Sequence, residues 1–230
     1  MVNVNNIVKS YQSGSINFKA LKGVSLEIVK GEFTSIMGAS GSGKSTFMNI
    51  LGCLDRMSEG KYLLNGKDVS KLDDDKLAYI RNKEIGFVFQ AFNLLPRISI
   101  LENVELPMIY AGIPAKIRRE KALRALEKVG LGDRLNHKSN EISGGEKQRV
   151  AIARAIVNEP IIIMADEPTG NLDTKSTFDI MKIFQDLNDD ASTIIMVTHE
   201  PDVAQYTKRI VRFKDGEIIE DKNVENRIRL

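Results

Sequence analysis

The sequence predicts an α/β protein, with a core of mainly parallel strands and an α-helical subdomain inserted at roughly residues 91–158. Three observations lead there. Residues 33–37 form a short strand-like run that passes through a glycine-rich loop into a helical pattern. Strand-like runs alternate with helical ones at both ends of the chain. Between them the texture changes to proline-punctuated loops and amphipathic helices.

Near the N-terminus, Val2, Val4, Ile7 and Val8 mark a strand-like segment ending at Tyr11, and Val24, Leu26 and Ile28 alternate with Ser25 and Glu27 as in a half-buried strand. Lys30-Gly31 turns into the strand-like run at 33–37, and a helix is expected from Phe47 to Leu54. Residues 61–64 make a strand ending at the turn signal Asn65-Gly66. A helix is expected over 76–83 and a buried strand over 85–89, ending at Gln90. From Ala91 to Pro114 the expectation is loops, with Pro96, Pro107 and Pro114, around an apolar-rich stretch at 101–106. Ala122, Ala125, Leu126 and Val129 share one face of a helix over 117–129, opposite Lys121, Arg124 and Lys128. A further helix over about 145–157 is stopped by Asn158-Glu159-Pro160. Strands resume at 161–166, 193–198, 209–213 and 217–220, with Phe178, Met181, Phe184 and Leu187 at helical spacing between the first two. The charged end, 221–230, is expected to fray.

With 230 residues the chain is long enough to bury a sizeable core. Its 33 basic and 31 acidic residues leave a net charge of +2, so no overall field draws it to nucleic acid or acidic lipid. Lys116, Arg118, Arg119, Lys121 and Arg124 read as a solvated helix face. Cys53 is the single cysteine, which excludes an intrachain disulfide and a cysteine zinc cluster. The longest apolar runs, 161–165 and 194–197, are too short to cross a bilayer, so a membrane role would need a span from another chain. The N-terminal stretch is polar and alternating, unlike a signal peptide.

The chemistry centres on residues 35–46, SIMGASGSGKST. Gly38, Gly43, Lys44 and Ser45 fit G-x-x-x-x-G-K-[ST], the phosphate-binding loop, in the strand–loop–helix context that motif needs. Glycines at 38, 41 and 43 let backbone N–H groups wrap a polyphosphate, and the following helix points its positive end at the same anion. Lys44 is placed to reach the β- and γ-phosphates, and the Ser45 hydroxyl to ligate Mg²⁺. Residues 161–166 are an apolar strand that delivers Asp166 to its C-terminal end, where α/β proteins bind ligands. Asp166 is the candidate Mg²⁺ carboxylate. Glu167 is the candidate group to orient an attacking water or take its proton. Together these predict nucleoside triphosphate binding.

Further residues carry a family resemblance. Residues 142–146 read ISGGE, followed by Lys147-Gln148-Arg149-Val150. With Gln90, Gly170-Asn171-Leu172-Asp173 and His199, the set resembles the ATP-binding cassette, the motor subunit of ABC transporters. These match, in order, its signature motif, Q-loop, D-loop and H-loop. The resemblance implies one cassette, residues 1–230. It would comprise a P-loop NTPase (RecA-like) core at 1–90 and 159–230, an N-terminal antiparallel β-subdomain, and the helical subdomain at 91–158. It implies ATP hydrolysis with Mg²⁺, in a head-to-tail homodimer. Gly38, Ala39, Ser40, Gly41, Ser42, Gly43, Lys44, Ser45 and Thr46 would hold the phosphates, closed by Ser143, Gly144, Gly145 and Glu146 of a second copy. Tyr11 would stack on adenine, Gln90 would contact Mg²⁺ and report to the helical subdomain, Asp173 would bridge the copies, and His199 would contact the γ-phosphate and orient Glu167.

The sequence departs from the family's LSGGQ at two places. Ile142 for leucine conserves volume. Glu146 for glutamine adds a negative charge near the opposing site. Ile50-Leu51-Gly52-Cys53-Leu54-Asp55, the run from Ile85 to Pro96 and Glu102-Asn103-Val104-Glu105-Leu106-Pro107 resemble the lipoprotein-release (LolD) and macrolide-export (MacB) type. That likeness implies a separate permease at the inner face of the cell membrane, docked near Phe92, Leu94, Leu95 and Leu101, and no nucleic-acid partner. The alternatives are a soluble ATPase of DNA repair or translation, and a nucleotide-binding regulatory module without turnover. The first would need coiled-coil insertions or tandem cassettes, and the second would not need Glu167 and His199.

Overall fold

The computed structural model describes residues 1–13 and 16–230. Strands β1 (Val2–Ser13) and β2 (Ile16–Ile28) form an antiparallel pair, and β3 (Phe33–Met37) then leaves for a second sheet. After α1 (Lys44–Leu51), β4 (Glu59–Leu64) and β5 (Lys67–Asp68) return to the first sheet, whose order is β2-β1-β4-β5. Next come α2 (Asp74–Lys83), β6 (Ile85–Phe89) and three helices, α3 (Ile100–Tyr110), α4 (Ala115–Lys128) and α5 (Gly144–Ile156). The chain closes with β7 (Ile162–Asp166), α6 (Thr174–Asp189), β8 (Thr193–Val197), α7 (Pro201–Ala204), β9 (Arg209–Lys214) and β10 (Glu217–Asn223). The second sheet has the order β10-β9-β3-β8-β7-β6, parallel throughout except for the β9–β10 hairpin at its edge.

This parallel sheet is buried on both faces, as its near-continuous apolar strands require. Phe33, Ile163, Ala165, Ile194 and Met196 face a core shared with α3 to α6. Ile36, Ile162, Met164, Ile195 and Val197 face the other core, shared with α1, α2 and the antiparallel sheet. The strict alternation is the pleat read through two cores. Each large aliphatic side chain so buried is worth about 1.5–3 kcal/mol, against a span of about 1 kcal/mol for strand preference. Packing therefore sets the register.

Cys53 is buried with a left-handed backbone (φ 54°), and its carbonyl accepts a hydrogen bond from Arg81 Nη1 at 2.8 Å. Burial pushes its thiol up to about 11.

Three expectations need correction. The stretch expected to be loops up to Pro114 contains α3, and Pro107 lies inside it. A reciprocal capping box at Ser99 and Glu102 starts that helix, and its buried face (Ile100, Leu101, Val104 and Met108) outweighs the proline's cost of about 3 kcal/mol. The charged end does not fray in isolation. β10 pairs with β9, Arg227 Nε donates to the Tyr206 carbonyl at 2.9 Å, and Gln185 Nε2 holds the Ile228 carbonyl at 2.7 Å. Phe178, read as part of the apolar stripe of α6, is 44% exposed and meets Tyr206 edge-on.

Asn103 shows how the segment before α3 is fastened. Its fully buried amide accepts from Leu95 N at 2.7 Å and donates to the Leu95 and Ser99 carbonyls at 3.1 and 2.9 Å. Asn103→Leu keeps the volume and strands these groups, so it should cost roughly 2–4 kcal/mol. Urea unfolding checks this, with a lower midpoint expected at an unchanged slope.

Candidate active site

Between β3 and α1 the backbone makes a tight loop that only glycine permits at two points. Gly38 has φ 153°, and a Cβ there would run into the Phe213 carbonyl oxygen. Gly43 has φ 101°, and a Cβ would sit 2.8 Å from the Ala20 carbonyl oxygen. Gly43 precedes α1 with no side-chain cap, so the helix's first N–H groups face the loop. Lys44 folds back over the loop, its ammonium donating to the Gly38 and Ala39 carbonyls at 2.7 and 2.9 Å. Burial pulls its pKa down, while Glu167 and Asp166 hold it up. Ser42 Oγ is buried and has no hydrogen-bond partner among the described residues. Ser45 is exposed, and Ala39, Ser40 and Gly41 form the exposed crest. An exposed crest, an orphan hydroxyl, a lysine and a bare helix N-terminus together suit a polyphosphate.

Asp166 ends β7, in register with Phe89 on one side and Val197 on the other. It is half-buried, and burial followed by the neighbouring Glu167 raises its pKa while Lys44 opposes the rise. Glu167 follows with φ 44°, a left-handed residue that turns the chain sharply out of the strand. Its N–H bonds the Val197 carbonyl at 2.9 Å, and its Oε1 lies 3.0 Å from His199 Nδ1. Carboxylate and imidazole, expected as partners, are brought together.

Two contacts around this turn went unread in the sequence. Thr169 Oγ1 donates to Glu200 Oε1 at 2.9 Å, and the fully buried Gln148 donates from Nε2 to the Pro168 carbonyl at 2.8 Å. Polar types flanking the catalytic motifs were the available hint, but pairing across 20 and 31 residues leaves no periodic trace. Gln90, at the end of β6, reaches the D-loop: its Nε2 lies 3.4 Å from Asn171 Oδ1, and Asn171 Nδ2 donates to the Gln90 carbonyl at 3.1 Å.

The signature residues sit at the start of α5, apart from the phosphate loop. Ser143 caps the helix, and Glu146 closes a capping box by accepting from Ser143 N at 2.8 Å. That bond holds the Glu146 carboxyl below its usual range, and Arg134 stands 3.7 Å away. The extra charge is thus absorbed by the helix end and a neighbouring guanidinium. Gly145 packs so closely that a Cβ would lie 2.7 Å from Ser176 Oγ. Asp173 caps α6, accepting from Ser176 N at 2.9 Å. Ser143, Gly145, Glu146 and Asp173 line one depression of about 320 Å³, which includes no phosphate-loop residue.

Tyr11 is 42% exposed, its hydroxyl donates to Asp55 Oδ2 at 2.8 Å, and Lys9 Nζ lies 4.7 Å from its ring centre. Burial and Asp55 raise its pKa, partly offset by the Thr46 side chain. The expected permease patch is only partly present. Leu95 is exposed and Phe92 and Leu94 are partly covered, but Leu101 is a core residue at 3% exposure, on the buried face of α3. A cleft of about 910 Å³ lies between α2, β6 and α3, lined by Tyr79, Phe87, Phe89, Leu106, Tyr110 and Arg154.

A nucleotide-binding loop, a strand-end carboxylate pair with a histidine, and a second helix-end motif define a P-loop ATPase of cassette type. The family model described as ABC transporter matches residues 21–170, and the chain belongs to that family. It is 59% identical over 219 residues to the ABC transporter ATP-binding protein YknY of Bacillus subtilis, covering 95% of each. It is 54% identical over 222 residues to the macrolide export ATP-binding/permease protein MacB of Chlorobaculum tepidum, covering 96% of this chain and 34% of that protein. Among solved structures, the cassette MJ0796 in a dimeric post-hydrolysis state with ADP and Pi superposes with a TM-score of 0.89 at 47% identity, over 98% and 99% of the two chains. The chain is therefore the ATP-binding and ATP-hydrolysing subunit of an ABC transporter, and none of these matches points to DNA repair or translation.

Asp166 has a measurable cost. A carboxyl whose pKa is raised by folding destabilises the fold when charged, in full above its folded pKa, and the cost vanishes as pH falls below the unfolded value of about 4. Asp166→Asn should therefore melt above the wild type at pH 7, with the gap closing as the pH approaches 4. Thermal melts at both pH values check this, and an Asn variant less stable at pH 7 would contradict it.

Proposed function

We propose that the chain works as an ATP-driven, head-to-tail homodimer that powers a separate permease of the macrolide-export and lipoprotein-release type, peripheral to the inner face of the cell membrane. ATP lies with its phosphates along Gly38 to Thr46 and its adenine against Tyr11. Lys44 exchanges its two loop carbonyls for β- and γ-phosphate oxygens. Ser45, Asp166 and Gln90 would hold Mg²⁺, which neutralises phosphate charge when bound. The donor set fits that ion, because Mg²⁺ takes hard oxygen ligands, typically one or two carboxylates with phosphates and water, and Asp166 offers the carboxylate beside the Ser45 hydroxyl and the Gln90 amide oxygen.

Glu167 accepts a proton from the attacking water as its oxygen bonds the γ-phosphorus and the bond to the bridging oxygen breaks, releasing ADP and phosphate. His199 holds the Glu167 carboxylate in place and touches the γ-phosphate. The single observation behind this assignment is the 3.0 Å contact between His199 Nδ1 and Glu167 Oε1 beside Asp166 and Lys44. The second copy supplies Ser143, Gly144, Gly145 and Glu146, with Asp173 across the interface. The separation of the signature depression from the phosphate loop within one chain supports a second copy, as does the dimeric state of the MJ0796 cassette. Residues 91–158 turn as a unit against 1–90 and 159–230, and the cleft between α2, β6 and α3 takes the permease. No helix among the described residues is long and apolar enough to cross a membrane, and the match to YknY spans nearly its whole length.

Glu167→Gln should keep ATP affinity within about threefold while turnover falls at least about a hundredfold, the range for one well-placed general base. Gel filtration of that variant with ATP and Mg²⁺ should show a dimer. Unchanged turnover would remove Glu167 from the mechanism.

The docking site has its own test. Tyr110, 80% exposed at the cleft, becomes charged in Tyr110→Asp. Permease recovered with the tagged chain from solubilised membranes of its host should drop at least about tenfold, because an unpaired charge in an apolar contact costs more than the 1.4 kcal/mol this represents. Undiminished recovery would move the docking site elsewhere.

A further inference from the structure

Besides the His199 contact, the hydrogen bonds that fasten the turn carrying Glu167 include four close to the carboxylate. Glu167 N bonds the Val197 carbonyl, Gly170 N bonds the Glu167 carbonyl, Thr169 Oγ1 bonds Glu200, and the Pro168 carbonyl accepts from Gln148. Three of these fastenings come from the turn itself, from β8 or from the residue after His199. The fourth comes from α5, five residues beyond Ser143 and on the helix whose start is the signature motif. It is buried, with Gln148 at 0% exposure, and it joins the residue next to the carboxylate. The Pro168 carbonyl can only accept, so it is the amide nitrogen of Gln148 that faces it. The other amide atom, Gln148 Oε1, is buried with no partner among the described residues. A buried amide with one end left without a protein partner is costly for stability alone.

We propose that Gln148 is a positioning residue that ties the signature helix to the turn bearing Glu167, so that movement of this helix resets the carboxylate of the same chain. The contact runs from a helix end that serves the opposing ATP to the base that serves the chain's own. It therefore joins the two nucleotide sites of a dimer through one hydrogen bond. The inference rests on Glu167 being the base, and the experiment separates the two.

Steady-state ATPase is measured on the full chain as wild type, Gln148→Met, Gln148→Glu, Glu167→Gln and the double variant Gln148→Met/Glu167→Gln. Methionine keeps the volume and loses the bond. Its kcat should fall about tenfold or more with KM for ATP within about twofold, the signature of a displaced catalytic group rather than lost binding. In the Glu167→Gln background the same change should alter residual turnover by less than about twofold, because a residue acting through Glu167 has nothing left to position. A general loosening of the fold would instead multiply the two losses. Gln148→Glu supplies the rescue. Burial favours its neutral acid, which can donate to the Pro168 carbonyl, so its turnover relative to wild type should exceed that of Gln148→Met and rise as pH is lowered from 8 to 6. Full turnover in Gln148→Met, or multiplied losses in the double variant, overturns the proposal. Full turnover in Glu167→Gln overturns the reading beneath it. If the methionine variant does not fold, a Gln148→Glu turnover ratio that stays flat with pH is the overturning result.

Discussion

Everything at the catalytic edge depends on the parallel hydrogen-bond register of β3, β8 and β7. Ile36 lies level with Val197, and Val197 lies level with Asp166. Because the strands run the same way, their C-terminal ends fall on one edge. The phosphate loop, the carboxylate pair and His199 each leave their strand within two residues of that level. Thr198 N bonds the Ile36 carbonyl at 3.1 Å and Glu167 N bonds the Val197 carbonyl at 2.9 Å, so the ladder extends to the point where the chemistry begins. A slip of one residue would turn Asp166 and its whole strand face into the wrong core. The two apolar layers that forbid the slip fix the site more firmly than any contact within it.

Within that frame, charge is handled by backbone and neighbours rather than by ideal ion pairs. The Lys44 ammonium rests on two carbonyls, the Asp166 carboxyl is held against burial and against Glu167, and the Glu146 carboxylate is spent on a helix end. The two helix ends differ accordingly. That of α1 has no side-chain cap, whereas that of α5 is capped by Ser143 and Glu146. Free N–H groups therefore stand at the first and an already satisfied capping box at the second.

Most of the fold was legible because its signals are local or periodic. The alternation through 161–166 and 193–198 and the turn at Asp215-Gly216 each depend on near neighbours in the chain. The phosphate loop was legible for the same reason, since Gly38, Gly43, Lys44 and Ser45 act within eight positions. What escaped depends on distant partners. Pro107 reads as a breaker until the buried face of α3 is known, and the charged end reads as loose until Gln185 and Tyr206 are seen to hold it. Leu101 is expected at the permease groove from the family likeness, yet the helix turns it inward. Glu146 reads as a charge aimed at the opposing site until its capping bond shows where that charge goes.

Cys53 lends the molecule an experimental convenience. Its side chain is buried and its thiol is pushed to about 11, so hardly any thiolate forms at neutral pH. It is the single sulfhydryl in the sequence. The natural chain is therefore close to a silent background for maleimide chemistry, and one engineered surface thiol would take up a fluorophore or spin label without prior removal of a native residue. Distances between two such labels, one on each copy, would then follow the opening and closing of the assembly directly.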